Sequence, residues 1–187
     1  DYAEQYPVAQ GITYGDIVSP GTQEVTTTTG EKIVQLVKST SPYQEPIAGI
    51  VSNNYGDFTS AGYNINKEDN PMPVALVGRV PVNVTNEGGA IKVGDFVTTS
   101  STAGKGMKAT KAGRVIGMAL SSFDGTDGQV MVQVINTWYS PSGSSSAGDL
   151  FIESKMTLGV QTLTVNDNGT DTSETVALTP STSYVEV

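Results

Sequence analysis

Along this chain apolar and polar positions alternate far more often than apolar ones recur at helical spacing. In Arg79-Val80-Pro81-Val82-Asn83-Val84 every second residue is a valine, which puts one face of an extended segment in a core and the other in water. Stretches of helical length are nearly all interrupted by a Gly, a Pro or a Thr/Ser cluster. The pattern predicts strands at Ile12–Ser19, Lys32–Lys38, Ile47–Ser52, Val74–Val84, Phe96–Thr99, Arg114–Leu120 and Gln129–Tyr139. Pro81 has no amide hydrogen to give a ladder, so an edge or a bulge is expected there. The fold class that follows is all-β: a compact barrel-like or β-clip-like body, with a C-terminal β-strand extension.

The body has two similar halves, about 1–72 and 73–139. Gly15-Asp16-Ile17-Val18 is followed by Ile47-Ala48-Gly49-Ile50-Val51, and Gly94-Asp95-Phe96-Val97 by Val115-Ile116-Gly117-Met118-Ala119. Each copy reads as a Gly-Asp turn into a strand, then an apolar strand with a central glycine. Two interlocked β-units and chance likeness of short strands both remain open at this level. After Trp138-Tyr139 the composition breaks: residues 140–148, Ser-Pro-Ser-Gly-Ser-Ser-Ser-Ala-Gly, read as a flexible linker. Residues 149–187 carry six acids and one lysine, yet are too apolar for a solvated tail. Met156-Thr157-Leu158-Gly159-Val160 and Leu163-Thr164-Val165 alternate, with a change of phase between them. They predict two short strands that donate Leu158, Val160, Leu163 and Val165 to an accepting sheet edge, on a neighbouring subunit or on the same body.

Composition narrows the chemistry. The 22 valines against 7 leucines favour sheet over helix. With no cysteine and no histidine, disulfides, thiolate and imidazole metal sites, and Ser-His-Asp or Cys-His catalysis are unavailable within these residues. Nineteen acids against ten bases give a net charge of −9, and the arginines are Arg79 and Arg114 alone, so nucleic acid is not an expected partner. No apolar run approaches the about 18 residues of a membrane span. Asp124-Gly125-Thr126-Asp127-Gly128 and Asp167-Asn168-Gly169-Thr170-Asp171 put oxygens on glycine turns but do not fit a calcium loop, and read as hairpin turns. No metal and no cofactor is expected. Tyr55, Phe58 and Tyr63 around Asp57 are candidate contacts for a surface glycan, or loop anchors.

Asp1-Tyr2-Ala3-Glu4 places two carboxylates three residues apart. Glu4 is suited to activating a water, and the Asp1 side chain to attacking or polarising a carbonyl just upstream; an ordinary acidic segment reads the same. The series Asp1-Tyr2-Ala3-Glu4, Gly15-Asp16-Ile17-Val18, Glu31-Lys32-Ile33 and Ile47-Ala48-Gly49-Ile50-Val51-Ser52-Asn53-Asn54 resembles the auto-cleaving intramolecular chaperone domains at the C-termini of phage tail spikes and appendages. Residues from Pro73-Val74-Ala75-Leu76-Val77-Gly78 through Lys92-Val93-Gly94-Asp95-Phe96-Val97 to Val115-Ile116-Gly117 resemble a related module of bacterial surface proteins and tail fibres. The likeness implies that a precursor cuts itself before the Asp of the Asp-aromatic-Ala-Glu motif, with Asp1 and Glu4 as the self-cleavage residues.

The expectation is a structural subunit of an extracellular fibre or surface appendage, at a cell surface or on a virion. It is a homo-oligomer, filament or trimer, matured by cleavage before Asp1 and assembled by strand exchange through residues 149–187. It is not a turnover enzyme. Two alternatives stand beside it: a released chaperone domain that trimerises and registers a phage fibre, and a carbohydrate-binding adhesive module. Asp1 is read as a processed end or as an arbitrary boundary before a domain.

Overall fold

The computed structural model describes residues 1–53, 56, 65–141, 161–167 and 170–176, the last two ranges as backbone strands. The chain is all-β. Its elements are β1 (Tyr2–Pro7), β2 (Ile17–Thr26), β3 (Lys32–Lys38), β4 (Gly49–Val51), a 3-10 turn at Lys67–Asp69, β5 (Pro71–Thr85), β6 (Phe96–Thr99), β7 (Gly106–Lys108), β8 (Gly113–Ala119), β9 (Asp127–Tyr139), β10 (Gln161–Asp167) and β11 (Thr170–Val176). The chain divides into Asp1–Ser142 and Gly143–Val187.

The first unit is two small rings of strands that share β5. In the first ring β1 and β4 flank the N-terminal part of β5, β4 pairs with β2, and β2 with β3. A parallel bridge from Val8 to Leu36 of β3 closes it. In the second ring the C-terminal part of β5 pairs with β9, β9 with β8, β8 with β6, and β6 with β7. The parallel pair Val84–Gly106 brings β7 back to β5 and closes the circuit. Closure of this kind leaves few free edges for unwanted pairing. Pro81 pairs with Met131 on β9, while the β7 contact on the other side of β5 lies further along at Val84, so its missing amide hydrogen interrupts no ladder.

The two rings match around the Gly-Asp turns and the strands paired there. Ile17 and Val18 pair with Ile50 and Gly49, as Phe96 and Val97 pair with Met118 and Gly117. Gly15 N–H donates to Val51 C=O at 2.7 Å and Gly94 N–H to Ala119 C=O at 2.9 Å. The repeat is longer than the Gly-Asp turn alone: it is Ile-x-x-Gly-Asp-x-Val at Ile12–Val18 and at Ile91–Val97. In each copy the Asp side chain accepts the amide three residues back, at 2.8 Å from Thr13 and 2.8 Å from Lys92. Each also pairs with a lysine on the following strand, Asp16–Lys38 at 3.0 Å and Asp95–Lys108 at 2.9 Å. The glycine before each Asp has positive φ, +87° at Gly15 and +91° at Gly94, a region that only glycine enters freely.

This turn corrects the expected strand at Ile12–Ser19. Residues 12–15 are occupied in making the turn, and β2 begins at Ile17 and runs on to Thr26. β1 and β7 were not expected: Tyr2–Pro7 shows no clean alternation, and Gly106–Lys108 is three residues opened by a glycine.

One apolar cluster, Val8, Ile12, Val18, Leu36, Val51 and Val74, fills the first ring. The corresponding residues of the second ring, among them Val84, Ile91, Val97 and Val132, belong to a larger cluster that also takes in Ala3, Ile17, Ile50 and Ala75 from the first half. The halves therefore share a core, and polar bonds cross between them. Ile17 N–H donates to Gly104 C=O at 2.7 Å, and Asn83 Nδ2 donates to Asp16 Oδ1 at 3.0 Å. Asp16, 2% exposed, thus accepts from Thr13, Lys38 and Asn83.

In the second unit β10 and β11 form a two-stranded antiparallel sheet in register from Gln161–Val176 to Asp167–Thr170.

Removing the Asp16 carboxylate takes one of the Asn83 amide's two acceptors, leaving Tyr14 C=O, and breaks the ion pair of Lys38. Asp16→Ala should cost about 3 kcal/mol, and Asp95→Ala, in the more open copy, about 1 kcal/mol, both read from urea unfolding. Burial opposes ionisation of Asp95. Hydrogen bonds from the Lys108 side chain and the Lys92 amide, with the two lysine charges, outweigh it and hold the carboxyl below its ordinary 3.8. A carboxyl lowered in the folded state stabilises the fold above its unfolded pKa and loses that contribution as the pH falls through the folded value. The stability gap between wild type and Asp95→Asn should be full at neutral pH and close below pH 3.8; a gap that persists unchanged in acid contradicts the assignment.

Candidate functional site

β1 carries Asp1 and Glu4 to the side of β5, with Ala3 opposite Ala75 and Glu4 opposite Val74, and with a bulge between Tyr2 and Ala3. Asp1 lies against Gly78. A Cβ at Gly78 would stand 2.7 Å from Asp1 Cα and 2.8 Å from Asp1 Cβ, and Gly78 itself has φ +112°. Here β5 passes from one ring to the other, and a glycine is required both by the conformation and by the approach of β1.

The Asp1 carboxylate is held at one oxygen. Ser52 Oγ donates to Asp1 Oδ2 at 2.8 Å, while Asp1 Oδ1 is buried with no hydrogen-bond partner among the described residues. Ser52 follows β4 and is itself fully buried; its amide donates to Pro73 C=O at 2.9 Å. Val51 of β4 and Glu4 of β1 stand on either side of Val74, so Ser52 lies next to the row that contains Glu4 while its hydroxyl engages Asp1.

Glu4 sits in different company. Tyr6 Oη donates to Glu4 Oε2 at 3.2 Å. The Tyr6 phenol is pushed above its ordinary 10.0, first by burial and then by the Glu4 charge beside it. Glu4 and Tyr6 line a groove of about 300 Å³ with Thr27, Glu31, Lys32 and Ile33, where β1 and β3 part before meeting at Val8–Leu36. A carboxylate with one oxygen engaged and an open groove beside it can accept a proton from water. The carboxylates of Asp1 and Glu4 share no hydrogen-bond partner among the described residues.

Of the expected assembly residues, Leu163 and Val165 occupy alternate positions of β10, paired with Glu174 and Thr172. Leu158 and Val160 lie outside the described residues, as do Tyr55, Asp57, Phe58 and Tyr63. Asp127, in the glycine turn that opens β9, pairs with Lys105. Among the described residues no three His, Cys, Asp or Glu side chains converge as a metal-ligand set, and no helix is long and apolar enough to cross a membrane.

Comparison with protein-family models, with curated proteins and with solved structures finds no match to this chain.

Ser52 and Gly78 stand out only in three dimensions. A glycine inside an otherwise valine-rich strand was the one available signal for close backbone approach; a serine closing a short strand carries none. Gly78→Ala should destabilise the body by about 1–3 kcal/mol, measured as a lower denaturant midpoint with unchanged slope, whereas Gly89→Ala, at positive φ but with nothing within 4 Å of its Cβ position, should cost less.

Proposed function

We propose that this chain is a structural subunit of an extracellular fibre or surface appendage, released from a longer precursor by one self-cleavage before Asp1 and assembled through its C-terminal strands. The observation that carries the assembly half is the contrast between the two units. The body is ringed, so its strands offer little edge to a neighbour. The described sheet of the second unit is a hairpin, β10–β11, and two-stranded sheets are marginal alone in water. With alternating apolar residues on β10, the hairpin gains most by pairing with the open edge of another subunit's hairpin, where backbone bonds give affinity and residues such as Leu163 and Val165 set register. A closed body and a strand-donating extension together make a subunit suited to repetition.

Light scattering on the full chain tests this. Oligomers should form through the extension, and Leu158→Asp with Val160→Asp should leave monomers whose body unfolds at the wild-type midpoint. If that double variant keeps its oligomers, or loses the stability of its own body, strand donation is wrong. A concentration-dependent ladder of masses fits a fibre subunit; a single closed trimer fits the released folding factor of a phage fibre instead.

The maturation half rests on the motif and on the state of Asp1, whose carboxylate is oriented at one oxygen and bare at the other. In a purified precursor carrying the residues its gene encodes before Asp1, the chain should cut itself. Glu4→Gln should stop the cut without changing the fold, read by gel and circular dichroism. Prolonged incubation of folded wild-type precursor with no cleavage would falsify this half.

A further inference from the structure

The matching of the two rings supplies a comparison within one molecule. Glu4 and Val80 hold the same place, opposite Val74 and Val132 and next to the row of β4 or β8. Ser52 and Leu120 also correspond: each follows its strand and donates its amide to a strand carbonyl, Pro73 at 2.9 Å and Met131 at 2.7 Å. The first copy thus has Glu and Ser where the second has Val and Leu, while Asp1 stands beyond a bulge between Tyr2 and Ala3 that has no counterpart between Gly78 and Arg79. The fold itself does not demand polar side chains at these places.

We infer that Ser52 is a positioning residue for the Asp1 carboxylate in the cleavage of the bond before Asp1, an inference that rests on the self-cleavage reading above. By donating to Oδ2, Ser52 fixes the carboxylate's rotation and leaves Oδ1 as the attacking oxygen. Oδ1 is buried with no described partner, and a carboxylate oxygen stripped of water is a stronger nucleophile than a hydrated one. Oδ1 adds to the carbonyl carbon of the preceding residue. The carbon–nitrogen bond breaks and the Asp1 nitrogen leaves with a proton taken from solvent, giving a mixed anhydride. Water, giving a proton to Glu4, then adds to the anhydride before the Asp1 nitrogen can re-form the amide; the new carbon–oxygen bond breaks, and two carboxylates and the Asp1 ammonium remain. The sum is peptide plus water, with no other reactant. Gly78 serves the same end by letting the Asp1 backbone lie where a Cβ would displace it.

The test is the time course of cutting in the purified precursor, with Ser52→Ala, Ser52→Thr and Gly78→Ala beside wild type and the unfolding midpoint of each as control. Loss of orientation should slow Ser52→Ala about 10–100-fold. Ser52→Thr, which keeps the hydroxyl, should recover most of the rate, and Gly78→Ala should be slow through displacement of Asp1. Should Ser52→Thr fail to fold, the pair Ser52→Ala and Gly78→Ala still decides. A folded Ser52→Ala that cuts at the wild-type rate overturns the role of Ser52 while leaving self-cleavage intact. Hydroxylamine capture of an ester on Ser52 overturns it in the other direction, making Ser52 the nucleophile. A wild-type precursor that does not cut removes the reaction, and the inference with it.

Discussion

Everything in the body depends on β5 serving two closed sheets at once. A strand in a ring must find partners on both sides, and β5 does this twice along its length, first with β1 and β4 and then with β9 and, at Val84, β7. Its burial changes on the way: Pro73, Val74 and Ala75 are buried on both faces, Val77 is exposed, and Val80, Val82 and Val84 are buried on one face only. Gly78, at φ +112°, sits within that change. The place where the strand is handed from ring to ring is therefore also the place where β1 can approach most closely, and Asp1 occupies it.

The same constraint explains which parts of the fold were legible. Strands with regular alternation and clear turns at both ends were read at their observed bounds, as at Lys32–Lys38 and Phe96–Thr99. Arg114–Leu120 and Val74–Val84 were read to within a few residues. β2 was misplaced because Ile12 is buried as a strand residue would be, yet it anchors a turn whose Asp16 caps the Thr13 amide. β1 was invisible because Tyr2–Pro7 becomes a strand only through the partner that β5 offers, which no local pattern carries. The duplication showed in the Gly-Asp turns and central glycines; its full extent, down to the lysines paired with each Asp, needed the register.

For the site, the sequence displayed two carboxylates but not their surroundings. Tyr6 beside Glu4 is two residues away and could have been read from strand alternation. Ser52 beside Asp1 is far along the chain and brought near only by the ring. In this chain the paired scaffold repeats itself in the sequence, whereas Glu4 and Ser52 depart from the repeat where Val80 and Leu120 keep it apolar.

The sharing of β5 also allows an order of events during synthesis. All strands of the first ring lie before residue 79, so that ring can close while β6–β9 are still unmade. Closing it holds the N-terminal part of β5 in place, and the remainder then emerges already aimed as the first strand of the next ring. The second half assembles on a template, and the long-range pairing of β5 with β9, the slow kind of contact, is made by a chain with one partner already immobilised. A nascent chain arrested between β5 and β9 would be half native rather than unfolded, with an open strand waiting for the ribosome to deliver its neighbour.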